Sequence, residues 1–432
     1  MKNCRALLKE WGTTLANSEL REIDKYPVGI INIPPSKSIS HRAVICAALA
    51  GCTSDEYIEN LGESKDISAT KKAIAQILSG DNSCDVDCEE SGSTLRFLIP
   101  IAAMSDKEWH FVGKGRLMER PQSTYEEIFA EQGLCFEKTE TGLKIAGPLK
   151  PGKYSLSGNI SSQFITGLLF ALSLSEEDSE ISLTTSLESK GYIDLTIDVM
   201  RNFGVNISTH VDANGNTIGY TIKGGQKFTA SHYSVEGDYS QAAFFLCAAA
   251  LGKDVLLAGL NENSCQGDRQ VIDILKQMGA EVKFVHDEVA NLDVLSVCPP
   301  KGKLSATTID AKDIPDIIPP LAALSCYASG TTHITNAGRL RIKESDRLHA
   351  IAVELAKLGA SIVEEDESLT IHGTDKLKGG TVSAHNDHRI AMSMALASIG
   401  CTEKVLLEGS ESVSKSYPNF WDDWEKKKKE NI

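Results

Sequence analysis

Residues 91–104 read SGSTLRFLIPIAAM, a polar opening with one arginine that runs into small and apolar residues. Beyond its opening the stretch is apolar nearly all round, which predicts a helix enclosed by other elements rather than one lying on a surface. Such a helix points its polar end at something that satisfies four backbone N–H groups. Ser and Asp are good caps and supply part of the answer. A bound anion is the other part, because a helix N-terminus carries about half a positive charge.

The pattern recurs five more times. SKSISHRAVICAALA begins at Ser36, SSQFITGLLFALSL at Ser161, DYSQAAFFLCAAAL at Asp238, DIPDIIPPLAALSC at Asp313 and NDHRIAMSMALASI at Asn386. Successive starts lie 55 to 77 residues apart, the size of a supersecondary unit. Six such ends converging would form a funnel for anions. Between them a second unit recurs, a more amphipathic helix followed by glycine and an alternating strand, near Gly133, Gly204, Gly279 and Gly359. Glycine there predicts a left-handed helix stop. Each repeat therefore reads as strands plus one buried and one outer helix, an α/β architecture.

A chain of 432 residues exceeds one ordinary core, so two domains of three repeats each are expected. The first would span residues 35–236, and the second, discontinuous, residues 1–34 and 237–432. The closing KKKKENI reads as a solvated tail.

Composition narrows the class. Apolar residues at 41% and charged residues at 24% describe a folded chain, and a net charge of −15 argues against nucleic-acid or membrane-surface binding. An acidic protein that binds anions must then gather its cations locally. Eleven cysteines scattered singly read as reduced thiols, and Cys84 with Cys88 lacks further ligands at metal spacing. The start MKNCRALLKEWGTT is too charged for a signal peptide, and no run approaches 18 apolar residues. The expectation is a cytoplasmic, monomeric globular protein with no metal and no cofactor.

The helix starts hold the candidate chemistry. Lys37, Ser38 and Arg42 place two cations and a hydroxyl within one and a half turns, although read alone they fit surface charges equally well. The second start supplies Gly92, Ser93 and Arg96, with a glycine that permits close backbone approach to a ligand. Ser161, Ser162 and Gln163 offer three uncharged hydrogen-bonding groups, and MERP sets Arg120 before a helix-starting proline. In DIPDI, Asp313 is expected as a plain N-cap and Asp316 as the better catalytic candidate. RLRIKESDR packs Arg339, Arg341, Lys343, Glu344, Asp346 and Arg347 into nine residues, a density that elsewhere often marks a solvated face. NDHR adds Asp387, His388 and Arg389, and VSKSYP adds Lys415. No GxSxG, HExxH, Walker or strand-linked GxGxxG motif occurs, so a phosphate-bearing substrate must bring its own reactivity.

PSKSISHR, SGSTLRFLIP, ERP, SSQFITGLL, SLESKGYIDLT, VEGDYSQAAFF, QGD, IPDI, RIKESDR, NDHRIAM and SKSYPNF follow one another from about Lys37 to Phe420. In this order they resemble the family of 5-enolpyruvylshikimate-3-phosphate synthases. The resemblance implies two inside-out α/β domains, each of three βαβαββ repeats around buried parallel helices, with the active site in the interdomain cleft. It implies transfer of the enolpyruvyl group of phosphoenolpyruvate to the 5-hydroxyl of shikimate 3-phosphate, inhibition by glyphosate, and closure of the domains over the substrates.

By the same resemblance, Ser38, Arg42, Ser161, Ser162, Gln163, Ser189, Asp316 and Lys343 would hold shikimate 3-phosphate, with Tyr192 by its ring, Lys37 nearby and Arg339 as a neighbour. Lys37, Gly92, Arg120, Gln163 and Lys415 would surround the phosphoenolpyruvate phosphate, and Arg347 and Arg389 its carboxylate. Glu344 would protonate the methylene carbon, with its pKa tuned upward in the closed cleft, while Asp316 takes the hydroxyl proton and Lys37 assists the leaving phosphate. Glu90 and Arg339 stand where many members carry asparagine, and Glu90 is assigned no role. The sister transferase acting on UDP-N-acetylglucosamine pairs its early lysine with asparagine and carries a loop cysteine; here Lys37 precedes Ser38 and GKGRLMERP holds no cysteine. A non-catalytic two-domain anion receptor is the alternative from another class, and it would have no use for Glu344 among the cations.

Overall fold

The computed structural model describes residues 20–426, so the first 19 residues and all but the first residue of the KKKKENI tail lie outside it. Six buried helices carry the architecture: α1 (Lys37–Leu49), α2 (Gly92–Ala102), α3 (Ser162–Leu172), α4 (Tyr239–Ala250), α5 (Ile318–Ser325) and α6 (His388–Ser398). Every residue of α4 is buried, as the absence of a charged stripe predicts. Five of the six are closed by a side-chain cap: Ser36, Ser91, Ser161, Asp238 and Asp387 each accept a backbone N–H from the first turn.

The sixth differs from expectation. Residues 315–317 form a turn, α5 begins at Ile318, and its cap position is Ile317 without a side-chain bond. Asp313 is therefore not an N-cap; its Oδ1 accepts the N–H of Lys190, 3.2 Å away. Prolines in the first turn of α5 need no hydrogen-bond partner, which lets the helix start late.

Each of the six sheets contains one parallel strand pair, and parallel pairing requires a crossover connection. Around α2 the pattern is complete. Val86–Asp87 leads through α2 to its parallel partner Glu108–Val112; an outer helix, Ser123–Glu131, and the hairpin Cys135–Lys138/Gly142–Ala146 follow. The same order of strand, buried helix, strand, outer helix and hairpin recurs around α3 and α5. The glycines at 133, 204, 279 and 359 all have positive φ, between +68° and +98°, as left-handed helix stops.

Around α4 the repeat is interrupted. Gly29–Asn32 pairs in parallel with Val255–Ala258, and the whole of residues 35–236 lies between them in the chain. Arg21–Ile23 pairs, in the antiparallel sense, with residues 405–407 near the other end of the chain. Two hydrophobic cores result: one draws on residues 39–235, the other on residues 23–33 and 239–424. The chain passes between them twice, and the two passages are paired: Ser36 N–H donates to Glu236 O (2.8 Å) and Asp238 N–H to Pro34 O (2.9 Å). One carboxylate serves both sides, because Asp238 Oδ1 caps α4 through Gln241 N (3.1 Å) while Oδ2 accepts the Lys37 N–H of α1 (2.9 Å).

Inside the first core, Pro100 removes the N–H that would bond Arg96 O within α2. Tyr125 Oη donates to that carbonyl instead, at 2.6 Å. Gly167 of α3 makes this possible, since a Cβ there would collide with both Tyr125 Oη and Arg96 O.

Candidate active site

The polar ends of the buried helices meet in a cleft between the two cores. From the first half it is lined by Lys37, Ser38, Arg42, Ser93, Arg96, Arg120, Ser161, Ser162, Gln163 and Tyr192. From the second come Asp238, Asp316, Arg339, Lys343, Glu344 and Arg389. Seven lining side chains are Lys or Arg against three carboxylates, within a chain of net charge −15. Cations have been gathered where an anion would sit.

The first-half groups are held before any ligand arrives. Arg42 donates to Thr196 Oγ1 (2.7 Å), Ser38 O (2.6 Å) and Tyr192 O (2.8 Å). Arg96 donates to Gln163 Oε1 (2.9 Å), and Gln163 Nε2 to Ser93 Oγ (3.0 Å). At Gly92 a Cβ would lie 2.5 Å from Arg120 Nη1, so the missing side chain makes room for that guanidinium. Lys37 Nζ sits 2.8 Å from Asp66 Oδ2. Burial pulls the ammonium pKa down, but Asp66 and Glu344 outweigh it and keep it raised, so Lys37 remains charged.

On the second half, one buried guanidinium organises three carboxylates. Arg347 reaches Asp316 Oδ1 (3.0 Å), Glu344 Oε2 (2.6 Å) and Asp387 Oδ2 (2.9 Å), with its own side chain 1% exposed. Asp316 also receives Lys343 (3.3 Å), Arg389 (3.0 Å) and the Tyr192 hydroxyl (3.1 Å). Burial pushes the Asp316 carboxyl up, yet Arg389, Lys343 and Arg347 together hold it well below the ordinary range. Lys343 is lowered, because burial outweighs its attraction to Asp316.

Glu344 corrects the sequence-based expectation. Burial does push its carboxyl upward, but Arg347 and Arg120, with Lys37 behind them, outweigh it, and the pKa lies well below the usual carboxylate value. The cations that make the cleft an anion site also hold this carboxylate ionised.

The charge run separates in space. Arg341 turns outward to Glu364 (2.8 Å) and Asp346 (3.1 Å), and Asp346 caps the following helix through His349 N, 3.0 Å away. Arg339 lines the cleft and donates to Ser189 Oγ across it (2.6 Å). Asp387 is engaged by Arg347, Ser345 (3.0 Å) and the Arg389 N–H (2.9 Å), and its Oδ1 stands 4.0 Å from His388 Nδ1.

Gly92, Ser189, Arg347 and Lys415 do not line the cleft themselves. The first three contact residues that do; Lys415 instead bonds Glu90 Oε2 (2.6 Å) and Asn386 O (2.7 Å). Sequence reasoning assigns no part to Asp66, Glu90 or Asp268. For Asp268 the available signal is the QGD motif, whose aspartate has no task when read from the chain alone. Among the described residues there is no cluster of three His, Cys, Asp or Glu fit to hold a metal, and no helix is long and apolar enough to cross a membrane.

A cleft of this kind, cationic on both walls and carrying carboxylates fixed by buried arginines, defines an α/β enzyme for small multiply charged anions. The chain belongs to the EPSP synthase (3-phosphoshikimate 1-carboxyvinyltransferase) family, whose model matches residues 22–85 and 74–424. It is 46% identical over 427 residues to 3-phosphoshikimate 1-carboxyvinyltransferase of Clostridium novyi (strain NT), covering 92% of this chain and 94% of that one. The enzyme of the same name from Clostridium beijerinckii is 47% identical over 423 residues, with the same coverage. Among solved structures, EPSP synthase of Acinetobacter baumannii superposes with a TM-score of 0.72 at 25% identity, covering 93% of this chain and 96% of that one.

Proposed function

We infer that this chain transfers the enolpyruvyl group of phosphoenolpyruvate to the 5-hydroxyl of shikimate 3-phosphate, releasing phosphate. The observation that carries the chemistry is the pairing of Asp316 and Glu344 on one buried guanidinium, at 3.0 and 2.6 Å, facing a cleft lined by cations. Asp316, ionised, is suited to take the hydroxyl proton. Glu344 must deliver a proton to the methylene carbon of phosphoenolpyruvate, leaving a cationic C2 for the hydroxyl oxygen to attack. The adduct then loses phosphate, its charge met by Lys37 and Arg120, and the methyl group returns its proton to Glu344.

The low pKa of Glu344 is reconciled with this role by the substrate itself. Phosphoenolpyruvate brings phosphate and carboxylate charges to Lys37, Arg120, Arg347 and Arg389, and the first three of these cations help keep Glu344 ionised in the free cleft. Once those fields are neutralised, burial dominates and the carboxyl takes up a proton.

The carried-over roles complete the reading. Ser38, Arg42, Ser161, Ser162, Gln163, Ser189, Tyr192, Arg339 and Lys343 recognise shikimate 3-phosphate. Gly92, Arg120, Gln163 and Lys415 serve the phosphoenolpyruvate phosphate, and Arg347 and Arg389 its carboxylate. Residues 35–236 form one domain and, among the described residues, 20–34 with 237–426 the other; the two separate cores support that division. The enzyme works as a cytoplasmic monomer.

Phosphate release from purified protein, with phosphoenolpyruvate alone and with shikimate 3-phosphate added, tests the assignment. Release that needs both substrates is expected. Release with UDP-N-acetylglucosamine instead, or none with any acceptor, would overturn it.

A further inference from the structure

The QGD segment, Gln266 to Asp268, lies on the far side of the cleft carboxylate Asp316. Gln266 fixes it to the double passage of the chain, accepting the Tyr239 N–H (3.1 Å) and donating to Gly237 O (2.8 Å). Gly191 lets the first half approach it, since a Cβ there would lie 3.1 Å from Gly267 Cα. That close approach brings Tyr192, one residue on from Gly191, against Asp268. The Tyr192 hydroxyl is 3.3 Å from Asp268 Oδ2 and 3.1 Å from Asp316 Oδ2, so it bridges the two carboxyl groups. Ser240 Oγ bonds Asp268 Oδ2, and Asp268 Oδ1, fully buried, has no hydrogen-bond partner.

We propose that Asp268 is the terminal proton acceptor behind Asp316, reached through the hydroxyl of Tyr192, and so a positioning and proton-holding residue of the acid–base machinery. The proposal rests on the transferase reading above. Asp316 takes the proton of the attacking hydroxyl. It then passes a proton to the Tyr192 oxygen as the phenol's own proton moves to Asp268 Oδ2. Two O–H bonds break and two form, Asp316 returns to its carboxylate, and the phenol is unchanged.

The surroundings give this transfer its direction. Asp316 stands among Arg389, Lys343 and Arg347 and holds a proton poorly. Asp268 is faced by Asp316, by Asp238 at the start of α4, by Arg389 of α6 and by the neutral groups of Tyr192 and Ser240. Burial and the Asp316 charge push its carboxyl up to about 7. An orphaned oxygen is costly on a buried carboxylate and far less so on a carboxylic acid. Tyr192, raised well above its ordinary pKa by burial and by both carboxylates, stays a phenol and exchanges protons without ionising.

The test is single-turnover phosphate release from about pH 5 to 9 for the wild type, Asp268→Asn, Tyr192→Phe and the double variant. The wild-type rate should fall on the acid side as Asp268 becomes protonated in advance. Each single variant should be slower by roughly 10- to 100-fold and should lose that acid limb, and the double variant should be no slower than the worse single. A variant that keeps the wild-type limb, or losses that multiply in the double, would overturn the relay. Should Asp268→Asn fail to fold, the limb in Tyr192→Phe decides alone. A wild type that releases no phosphate overturns the transferase reading and the relay with it, whereas an active enzyme whose limb survives in Tyr192→Phe overturns only the relay.

Discussion

Lys415 Nζ lies 2.6 Å from Glu90 Oε2, an ion pair that joins the two halves of the molecule. Glu90 therefore occupies the lysine proposed above to serve the phosphate of phosphoenolpyruvate. Replacing it with the neutral Glu90→Gln should leave kcat within about twofold and lower KM for phosphoenolpyruvate by roughly 3- to 10-fold. That is the ~1 kcal/mol expected from removing a partly exposed competitor, at about 1.4 kcal/mol per tenfold. Steady-state kinetics at saturating shikimate 3-phosphate measures this; an unchanged or higher KM would show that Glu90 does not compete.

Substrate binding should be accompanied by proton uptake. Glu344 is ionised in the free cleft, and the incoming anion neutralises the cations responsible. Titration calorimetry near pH 7 in buffers of differing ionisation enthalpy should read an uptake of about one proton per site, absent in Glu344→Gln. The same variant should release phosphate slower by about 100-fold or more.

Acid should destabilise the fold through the same carboxylates. Asp316, Glu344 and Asp387 have folded-state pKa values below their ordinary ones, so their contribution is complete above the ordinary carboxylate range, about pH 4, and is lost as pH falls through the folded values. Each unit of depression corresponds to ~1.4 kcal/mol. Melting temperature should drop steeply between about pH 4 and pH 2, and less steeply in a paired Asp316→Asn, Glu344→Gln variant. Parallel curves for the two proteins would refute the assignment.

Tyr125→Phe should destabilise the chain by about 1–3 kcal/mol, because the Arg96 carbonyl that Pro100 leaves free loses its donor inside the first core. Gly167→Ala should cost a similar ~1–3 kcal/mol by overpacking the same contact. Urea midpoints decide both, and a neutral Tyr125→Phe would mean that the carbonyl finds another partner.

The buried helices are legible because residues such as those of α4 are apolar on every side, a pattern that a helix with one face in water does not carry. The late start of α5 is not, since Pro315 and Asp316 fit a turn or a first helical turn equally well from composition. In the site, the kinds of side chain are readable from short motifs. Their pairings are not, because the partners are distant in the chain: Lys37 and Asp66 are 29 residues apart, Arg347 and Asp387 are 40, and Lys415 and Glu90 are 325. The sign of the Glu344 shift depends on whether the neighbouring cations Arg347, Arg120 and Lys37 outweigh burial, and a one-dimensional pattern carries none of those distances.

The parallel pairing of Gly29–Asn32 with Val255–Ala258 has a consequence for synthesis on the ribosome. Residues 35–236 contain a complete core of their own and can collapse as they emerge. The strand made before them cannot be used yet, for its partner is still more than 200 residues from being translated. A nascent chain thus holds an unpaired β-segment in waiting, and the second core forms only when the ribosome delivers the strand that recaptures it.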